Sequence, residues 1–591
     1  MFFSAYVGTD EGRRRWREAA EAHAAWLGLT ACVESHALAG GRCAGLAWLD
    51  PRPDPALRPA GRARAQIVTA TVASDAGGRT DAPADPNAVR VDLSAAGDLR
   101  VLLPPTTPVH FYWARASQGV VLGDDLRLLL RLADPDPVPD ARAVYALLQY
   151  GAPAAPLTVS SRVHRMPGGH VWRLAAGAEQ PVLEPVDPTA EVRGDEEGDP
   201  ASRVLRTVDA SLSRVPADSV LYFSGGVDSG LLAARLRHLG RADVLLVNYG
   251  FGPRDEESRL AVRMAQHFGL RCEVVEHGLH RVPDMLARIA EDYSFPFGDL
   301  STMPTNALVH ASLGAPLPSM AIEGTGADTA FAMAVKYPQW DRVYRVPPVL
   351  RRQVARAYGW LDLWKSTSRA ERLARFVRKS TEMPLGYAVL AQNALLRIAY
   401  DAPAEVRAAA RRAVAESVEV VGAGLGTKER LCLLELVWMC PGRYAAKSFD
   451  PLRRRGVPTI YPFMDPALIG LTAALPWEAK SARGEAKSVL KELFVRHVPR
   501  EWVYRRKSGF LPPYRELFAD GAVQGVLHEH VLRPDNPLLE HCRPGGLAAL
   551  VSRTRRGEPV NIGAYYFLWV LLFTSEWLRQ QRSAGAALRA A

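Results

Sequence analysis

The chain has 591 residues, which at roughly 100–200 residues per domain predicts two to four domains rather than one core. Hydrophobic residues make up 48% and charged residues 23%, a composition that excludes a disordered chain. The net charge of +10 is spread along the sequence without a Lys/Arg tract interleaved with aromatic residues, so nucleic acid is not an expected partner. The basic excess fits either a general preference for arginine or attraction to an anionic nucleotide or acidic peptide.

Cysteine and hydropathy patterns predict a cytoplasmic chain. The six cysteines form no CxxC pair, which argues against a disulfide framework or a structural zinc site. The stretch Met1–Arg15 lacks the basic start, apolar core and cleavage site of a signal peptide. The longest apolar run, Ile562–Phe573, is shorter than the roughly 20 residues that span a bilayer. It predicts a buried helix, and we expect no transmembrane segment.

In residues 1–185, short apolar segments between Pro and Gly clusters predict strands joined by turns. Helices are predicted near Arg14–Leu27 and Ala141–Tyr150, and one strand, Gln66–Val72, lies within a loop-like region. Residues 186–200 are acidic, contain Pro and Gly and carry almost no apolar side chains. This composition predicts an inter-domain linker.

After the linker the pattern changes to alternating strands and helices. Strands are predicted at Ser219–Phe223, Val244–Tyr249 and Glu273–Glu276, with helices at Gly230–Leu239 and Glu256–Phe268. This β-α-β-α-β alternation predicts a parallel sheet with helices on both faces. Much of the remaining chain is predicted to be helical.

A glycine loop, Ser-Gly-Gly-Val-Asp-Ser, joins the first of these strands to its helix. Gly225 and Gly226 allow a tight turn that points backbone N–H groups inward, and Ser224 and Ser229 add hydroxyl donors. With the positive end of the helix dipole, these groups form a nest for phosphate or pyrophosphate. Asp228 fits such a nest if it holds a Mg²⁺ ion that bridges phosphates. The loop lacks the Gly-Lys-Ser/Thr ending of a Walker A motif.

This loop resembles the ATP loop of the adenylating amidotransferases, which cleave ATP between the α- and β-phosphates. A second segment, Gly324–Asp328, resembles the Gly-x-Gly-x-Asp-Glu motif of asparagine synthetases, although Thr329 replaces the glutamate. The resemblance implies that Gly324 and Gly326 lie at the nucleotide and that Asp328 shares one Mg²⁺ with Asp228.

Further segments resemble the same family in the same order along the chain. Asp299 and Ser301 match a Pro-x-x-Asp-x-Ser segment that lies beside the nucleotide in the family. Lys487 falls in a Gly-x-x-Lys-x-x-Leu-Arg-like helix, and Lys507 falls in an Arg-x-Lys-x-Gly-Phe-like loop. The resemblance implies that both lysines contact pyrophosphate and the negative charge at the acyl centre. Tyr461–Asp465 resembles a Pro-Phe-Leu-Asp segment with a mainly structural role.

The N-terminal region resembles the family's glutaminase domain in degraded form. Val121–Arg127 and Val163–His170 match two of its turns. A glutaminase of this type uses a cysteine at the mature N-terminus, whereas here residue 2 is Phe2 and both Cys32 and Cys43 are internal. We therefore expect this domain to keep the fold without glutaminase activity.

The resemblance implies a fold class and a domain division. Residues 1–185 are predicted to form an α+β sandwich of the degenerate Ntn glutaminase type, with αββα layers. Residues 186–200 form the linker. Residues 201–591 form an α/β domain with the parallel sheet of the PP-loop ATP pyrophosphatase (adenine nucleotide α-hydrolase-like) type and added helices.

Without ammonia from glutamine, the amine must come from elsewhere, and in β-lactam synthetases and lasso peptide cyclases it lies within the substrate. The tyrosine that acts as base in β-lactam synthetases aligns with Thr325, which cannot act as a base at neutral pH. This departure favours a cyclase that adenylates an Asp or Glu side chain of a precursor peptide. A leader-recognition protein and a leader peptidase are then the implied partners.

Three alternatives stay open: a synthetase that uses free ammonia, a β-lactam synthetase acting on a small amino acid, and a non-catalytic scaffold. The base for the amine is not identified, since Glu323 is only near the site in sequence. The predicted cofactors are ATP and Mg²⁺. The candidate residues are Lys487 and Lys507 for catalysis, Asp228 and Asp328 for the metal, and, for the nucleotide, Ser224, Gly225, Gly226, Asp228, Ser229, Asp299, Ser301, Gly324 and Gly326.

Overall fold

The computed structural model describes most of the chain. The described residues are 2–50, 68–72, 87–116, 118–151, 155–186, 199–252, 255–276, 282–314, 316–331, 336–357, 377, 380–381, 400–418, 421, 425–505, 513–560 and 562–590. Lys507 and residues 187–198 of the predicted linker lie outside them.

Two sheets form the N-terminal part. Their strands are β1 (Phe2–Gly8), β2 (Thr30–Ala37), β3 (Cys43–Asp50), β4 (Val68–Val72), β5 (Val89–Leu93), β6 (Leu99–Leu103), β7 (Tyr112–Ala116), β8 (Gly119–Gly123), β9 (Val163–Arg165), β10 (His170–Leu174) and β11 (Val182–Pro185). The six-stranded sheet has the order β2-β3-β1-β8-β7-β9, with every pair antiparallel. The five-stranded sheet has the order β11-β10-β6-β5-β4, in which only β4 and β5 are parallel.

Alternating side chains along β1 explain why the two sheets stack. Phe3 and Val7 pack toward the second sheet, while Phe2 and Tyr6 pack toward the helices. Those helices are α1 (Asp10–Leu27), α2 (Leu126–Ala133) and α3 (Ala141–Tyr150). Thr9 caps α1 by accepting a hydrogen bond from the Gly12 N–H at 3.2 Å.

The described residues form three of the layers in the predicted αββα order, one of helices and two of strands, and the fourth layer stays a prediction. On the outer face of the five-stranded sheet, Arg90 and Arg173 are exposed and Arg100 is half-buried. No described helix of this part covers that face. Along the strands, polar residues alternate with buried valine and leucine, which suits a sheet with one solvated face.

The C-terminal part contains the predicted parallel sheet. Its strands are β12 (Val220–Tyr222), β13 (Leu245–Gly250), β14 (Cys272–Glu276), β15 (Ala321–Ile322) and β16 (Thr459–Ile460). Their order is β14-β13-β12-β15-β16, and all neighbours are parallel. The chain moves outward from β12 to β14 and then returns to the other side of β12. The carboxyl ends of β12 and β15 therefore flank a topological switch point, where such sheets bind ligands.

Helices cover both faces of this sheet and extend beyond it. They are α4 (Pro200–Leu212), α5 (Val227–His238), α6 (Glu256–Phe268), α7 (Val282–Asp292), α8 (Thr302–Ser312), α9 (Ala327–Ala330), α10 (Lys336–Arg345), α11 (Pro348–Ala357), α12 (Ala404–Val418), α13 (Thr427–Leu434), α14 (Ala446–Arg454), α15 (Pro466–Ala474), α16 (Trp477–Lys480), α17 (Ser488–Phe494), α18 (Arg500–Val503), α19 (Tyr514–Ala519), α20 (Gly521–Val526), α21 (Pro544–Arg555) and α22 (Ile562–Ala590). A π-helical segment, Glu435–Ala445, joins α13 to α14.

The apolar run Ile562–Phe573 forms the start of α22, where most of its side chains are buried as predicted. Across the part of the chain that the structure describes, no helix combines the length and hydropathy that a membrane crossing requires.

The two parts are joined by buried polar contacts. Thr106 Oγ1 and Asn87 Nδ2 donate to the Met464 carbonyl oxygen at 2.8 and 3.2 Å. The Arg453 guanidinium lies 3.2 Å from the Asp124 carboxylate, and both side chains are buried. The sandwich is thereby fixed against the segment that follows β16. The boundaries 1–185 and 201–591 stay predictions.

Candidate active site

The glycine loop connects the end of β12 to the start of α5. Ser229 Oγ accepts a hydrogen bond from Ser224 N at 3.2 Å, and the two serine Oγ atoms are also 3.2 Å apart. Ser224 Oγ accepts from Gly226 N at 3.3 Å. The hydroxyls thus brace the turn from inside, and Gly226 places the positive end of α5 at the carboxyl edge of the sheet. The turn thus has the strand-to-helix geometry that a phosphate nest requires, and its contact with a nucleotide stays a prediction.

Gly225 is the point at which the loop requires glycine. Its φ is +66°, and a Cβ atom there would lie 2.9 Å from Ala261 Cα in α6. We expect Gly225→Ala to lower the free energy of unfolding by about 2–4 kcal/mol, from a left-handed backbone and a clash with a helix that has little room to move. Urea denaturation measures this loss.

Gly240 offers a matched control. Its φ is +73°, but a Cβ atom there would meet nothing within 4 Å. Gly240→Ala should cost only about 1 kcal/mol, from the backbone conformation alone. Equal losses in the two variants would show that close packing against α6 does not constrain the loop.

Asp228, Asp328 and Lys487 meet at the edge of the loop. Lys487 Nζ lies 2.7 and 2.6 Å from the two Asp228 carboxylate oxygens and 2.5 Å from Asp328 Oδ1. Two glycines allow this approach. A Cβ atom on Gly324 would lie 3.2 Å from Asp228 Cβ, and Gly326 has a φ of +101° with the Phe463 carbonyl oxygen directly against it.

Lys487 is held in a strained position. Its φ of +56° is in the left-handed region, which among the described residues no other non-glycine residue adopts. Burial alone would lower the pKa of its ammonium, but the Asp228 and Asp328 carboxylates raise that pKa above the usual value. The two carboxylates thus favour the charged form of the ammonium between them.

The same two carboxylates fit a Mg²⁺ ion. They converge on one cation position, which the lysine ammonium marks. Within the described ranges, no cluster of three or more His, Cys, Asp or Glu side chains is arranged to hold a metal. Mg²⁺ is commonly bound by only one or two carboxylates together with substrate phosphates. Asp228 and Asp328 are therefore suited to a metal that arrives with a nucleotide.

Asp299 and Ser301 lie behind the site rather than on its wall. Asp299 is buried, with Oδ1 accepting from Ser301 Oγ at 2.6 Å and Oδ2 accepting from Arg443 Nε at 3.1 Å. Burial would raise the pKa of Asp299, but Lys447 and Arg443 hold it below its usual value. Lys447 Nζ donates to Ser301 Oγ at 2.7 Å. Asp299 and Ser301 thus orient Lys447. Direct contact of Asp299 or Ser301 with a nucleotide stays a prediction.

A cavity of about 780 Å³ opens at this edge of the sheet. Its wall is formed by the ends of β12 and β13, the start of α6, and the loop after β15. The side chains of Asp228, Asp328, Lys447 and Glu323 all line it. Its volume lies within the usual range for a small-molecule site, which is roughly 300–1,000 Å³.

Sequence reasoning missed Lys447 and left Glu323 without support. Thr325 Oγ1 donates to Glu323 Oε1 at 2.7 Å, and Ser448 Oγ donates to Glu323 Oε2. Burial raises the pKa of the Glu323 carboxyl. Neither residue belongs to a motif that the sequence makes visible. Glu323 could have been noticed only because it is a charged residue directly before Gly324, at the carboxyl end of a predicted strand.

Lys507 lies outside the described residues, so its catalytic role stays a prediction. The described residues on either side adjoin the cavity. Pro513 lines the cavity, and Arg505 Nη1 lies 3.3 Å from the carboxylate of Glu257, another lining residue.

The fold and the site together define a class of enzyme. A glycine loop at the switch point of a parallel sheet, with two aspartates at one cation position, is suited to binding a nucleotide pyrophosphate. A family model described as asparagine synthase matches residues 204–579, which is more than half of the chain. The protein is an ATP-dependent amide-forming ligase. It belongs to the asparagine synthase family.

Among solved structures, the chain is similar to the NH3-dependent NAD synthetase from Campylobacter jejuni subsp. jejuni NCTC 11168 in complex with the nitrate ion. The identity is 14%, the TM-score is 0.18, and the match covers 37% of this chain and 95% of that chain. No curated protein matches the chain.

Proposed function

We propose that this ligase forms a macrolactam in lasso peptide biosynthesis. It adenylates an Asp or Glu side chain of a precursor peptide, and the N-terminal amine of the same peptide then attacks the acyl-adenylate. The observation that carries the adenylation step is the convergence of Asp228 and Asp328 on one cation beside the glycine loop. The proposal places the reaction in the cytoplasm, with a leader-recognition protein and a leader peptidase as partners.

The chain's own residues act at defined points of the first step. A carboxylate oxygen of the peptide attacks the α-phosphorus of ATP, and the bond to the β-phosphate bridging oxygen breaks. The Ser224–Ser229 loop, braced by its two serine hydroxyls, holds the departing pyrophosphate at the N-terminal end of α5. Lys487 offsets negative charge as it develops. Mg²⁺ held by Asp228 and Asp328 would neutralise phosphate charge during this step.

The N-terminal sandwich supports a substrate that carries its own amine. Phe2 and Phe3 at the start of β1 are buried, and the Arg453 guanidinium lies 3.9 Å from the centre of the Phe2 ring. Cys32 and Cys43 lie on β2 and β3 instead. Strand β1 itself carries no cysteine. Ammonia released from glutamine is therefore not part of the proposed reaction.

Thr325 favours the peptide cyclase over a β-lactam synthetase. Its hydroxyl donates to Glu323, so it acts as a hydrogen-bond donor to a carboxylate. The family resemblance aligns Thr325 with the tyrosine base of β-lactam synthetases, and an aliphatic hydroxyl does not lose its proton at neutral pH. A β-lactam synthetase of the known type would therefore lack its base here.

We expect the purified chain to convert a leader-free peptide, with ATP and Mg²⁺, into a cyclic product that has lost one water. AMP and pyrophosphate should form in equimolar amounts with it. An N-acetylated peptide should support ATP–pyrophosphate exchange without cyclic product, because the carboxylate can be activated but no amine can attack. A peptide with Asn or Gln at the acceptor position should support neither. Mass spectrometry and an exchange assay measure both steps.

Other products would identify other functions. Asparagine formed from aspartate, ATP and ammonium would show an ordinary ammonia-using synthetase. Cyclisation of a small β-amino acid would show a β-lactam synthetase. Release of pyrophosphate with any of these substrates would exclude a non-catalytic scaffold.

A further inference from the structure

Among the described residues, six acidic side chains line the cavity. Four of them pair with a basic side chain or cap a helix. Asp228 and Asp328 contact Lys487. Asp255 caps α6 by accepting from the backbone N–H groups of residues 257 and 258. Glu257 pairs with Arg505.

Of the remaining two, Glu256 is exposed on α6, whereas Glu323 is half-buried at the carboxyl end of β15. Glu323 therefore sits where the strands converge on the reaction centre.

Two hydroxyl groups fix the position of the Glu323 carboxylate. Thr325 Oγ1 and Ser448 Oγ each donate to one of its oxygens. Ser448 Oγ also lies 3.0 Å from the Tyr461 hydroxyl, which extends the network into the protein. Each carboxylate oxygen keeps capacity for a further hydrogen bond. The carboxylate is thus oriented and remains able to accept a proton from the cavity side.

Other titratable groups facing Glu323 are less suited to accept a proton. Tyr222 and Tyr461 are phenols whose pKa values burial raises above the usual value, so they stay protonated. Lys447 has no acceptor atom while protonated, and its Nζ already donates to Ser301. Its positive charge is on the same cavity wall and can offset negative charge at the acyl carbon.

We propose that Glu323 is the catalytic base that takes the proton from the attacking amine. This inference rests on the proposed function, because it assigns a residue to the second step of that reaction. The amine lone pair forms the C–N bond, and the bond between the acyl carbon and the AMP oxygen breaks with its electron pair leaving on AMP. One N–H proton passes to a Glu323 oxygen and later to solvent. Burial, which raises the pKa of this carboxyl, brings it closer to the range that suits a base near neutral pH.

The test separates the two steps. With the leader-free peptide, ATP and Mg²⁺, Glu323→Gln should keep ATP–pyrophosphate exchange within about threefold of the wild-type rate but slow cyclic product formation by about 10²–10³-fold. The isosteric amide keeps the shape of the side chain and loses the proton acceptor. Glu276→Gln is the matched control, because Glu276 ends another strand of the same sheet, is exposed, and lies outside the cavity wall. It should leave both rates unchanged.

A second variant distinguishes loss of the base from a folding defect. Glu323→Ala should lose product formation in the same way, and added formate should restore part of it by supplying a carboxylate to the space. Equal losses of exchange and cyclisation in Glu323→Gln, or unchanged cyclisation, would overturn the assignment. If the wild-type chain shows no peptide-dependent exchange, the proposed function itself fails and the assignment fails with it.

Discussion

Replacing Asp228 with asparagine is expected to slow peptide-dependent ATP–pyrophosphate exchange by about 10²–10³-fold, the usual effect of removing one electrostatic contact at a developing charge. The substitution keeps the shape of the side chain, so the glycine loop should still form. It removes one of the two carboxylates that meet at the cation position. The oxygens of that carboxylate lie 2.7 and 2.6 Å from Lys487 Nζ. Raising the Mg²⁺ concentration should recover part of the rate, because a weakened metal site fills at higher concentration.

Asp243→Asn is the control for this experiment. Asp243 is exposed and lies before β13, at the amino edge of the same sheet, so its substitution should leave exchange unchanged. A full exchange rate in Asp228→Asn, at any Mg²⁺ concentration, would contradict the role of Asp228 in holding the metal.

Replacing Lys487 with methionine is expected to affect adenylation and metal binding in opposite directions. Exchange should fall by about 10²-fold or more, since a buried cation near the pyrophosphate is lost. Binding of Mn²⁺ without nucleotide should become tighter, because the ammonium no longer competes for the two carboxylates. Two unit charges about 4 Å apart interact by about 4 kcal/mol at an effective dielectric constant of about 20, so the gain can reach about 10³-fold. Electron paramagnetic resonance of Mn²⁺ measures it.

Lys491 provides the comparison for Lys487. It lies one helical turn further along α17 and pairs with Glu485 instead of the site aspartates. Lys491→Met should leave Mn²⁺ affinity and exchange unchanged. If Mn²⁺ bound Lys487→Met no more tightly than the wild-type chain, the ammonium and the metal would not share one position.

Local patterns made the fold of the site predictable. The helix Ala141–Tyr150 has the bounds expected from its apolar spacing, and β12, β13 and β14 lie within two residues of their predicted bounds. The glycine loop was predictable for the same reason, because each of its residues has a role within a single strand-to-helix turn. The pairing of Asp228 with Asp328 came from the resemblance to a family rather than from spacing.

Other features depend on contacts between distant parts of the chain. Arg443 and Asp299 are 144 positions apart, and Ser448 and Glu323 are 125 apart. No window of the sequence brings these residues together, so the position of Lys447 and the environment of Glu323 were not visible in it. The second helical layer of the sandwich was predicted from the family resemblance alone, and no described helix within residues 1–185 forms it.

The Met464 carbonyl oxygen connects the sandwich to the loop that carries Asp328. The Met464 carbonyl oxygen accepts hydrogen bonds from Thr106 and Asn87 of the sandwich. The carbonyl oxygen of the preceding residue, Phe463, lies directly against Gly326, which is two residues from Asp328. The sandwich therefore acts as a buttress for the loop that carries Asp328, and the position of that carboxylate depends on contacts made by residues far outside the parallel sheet.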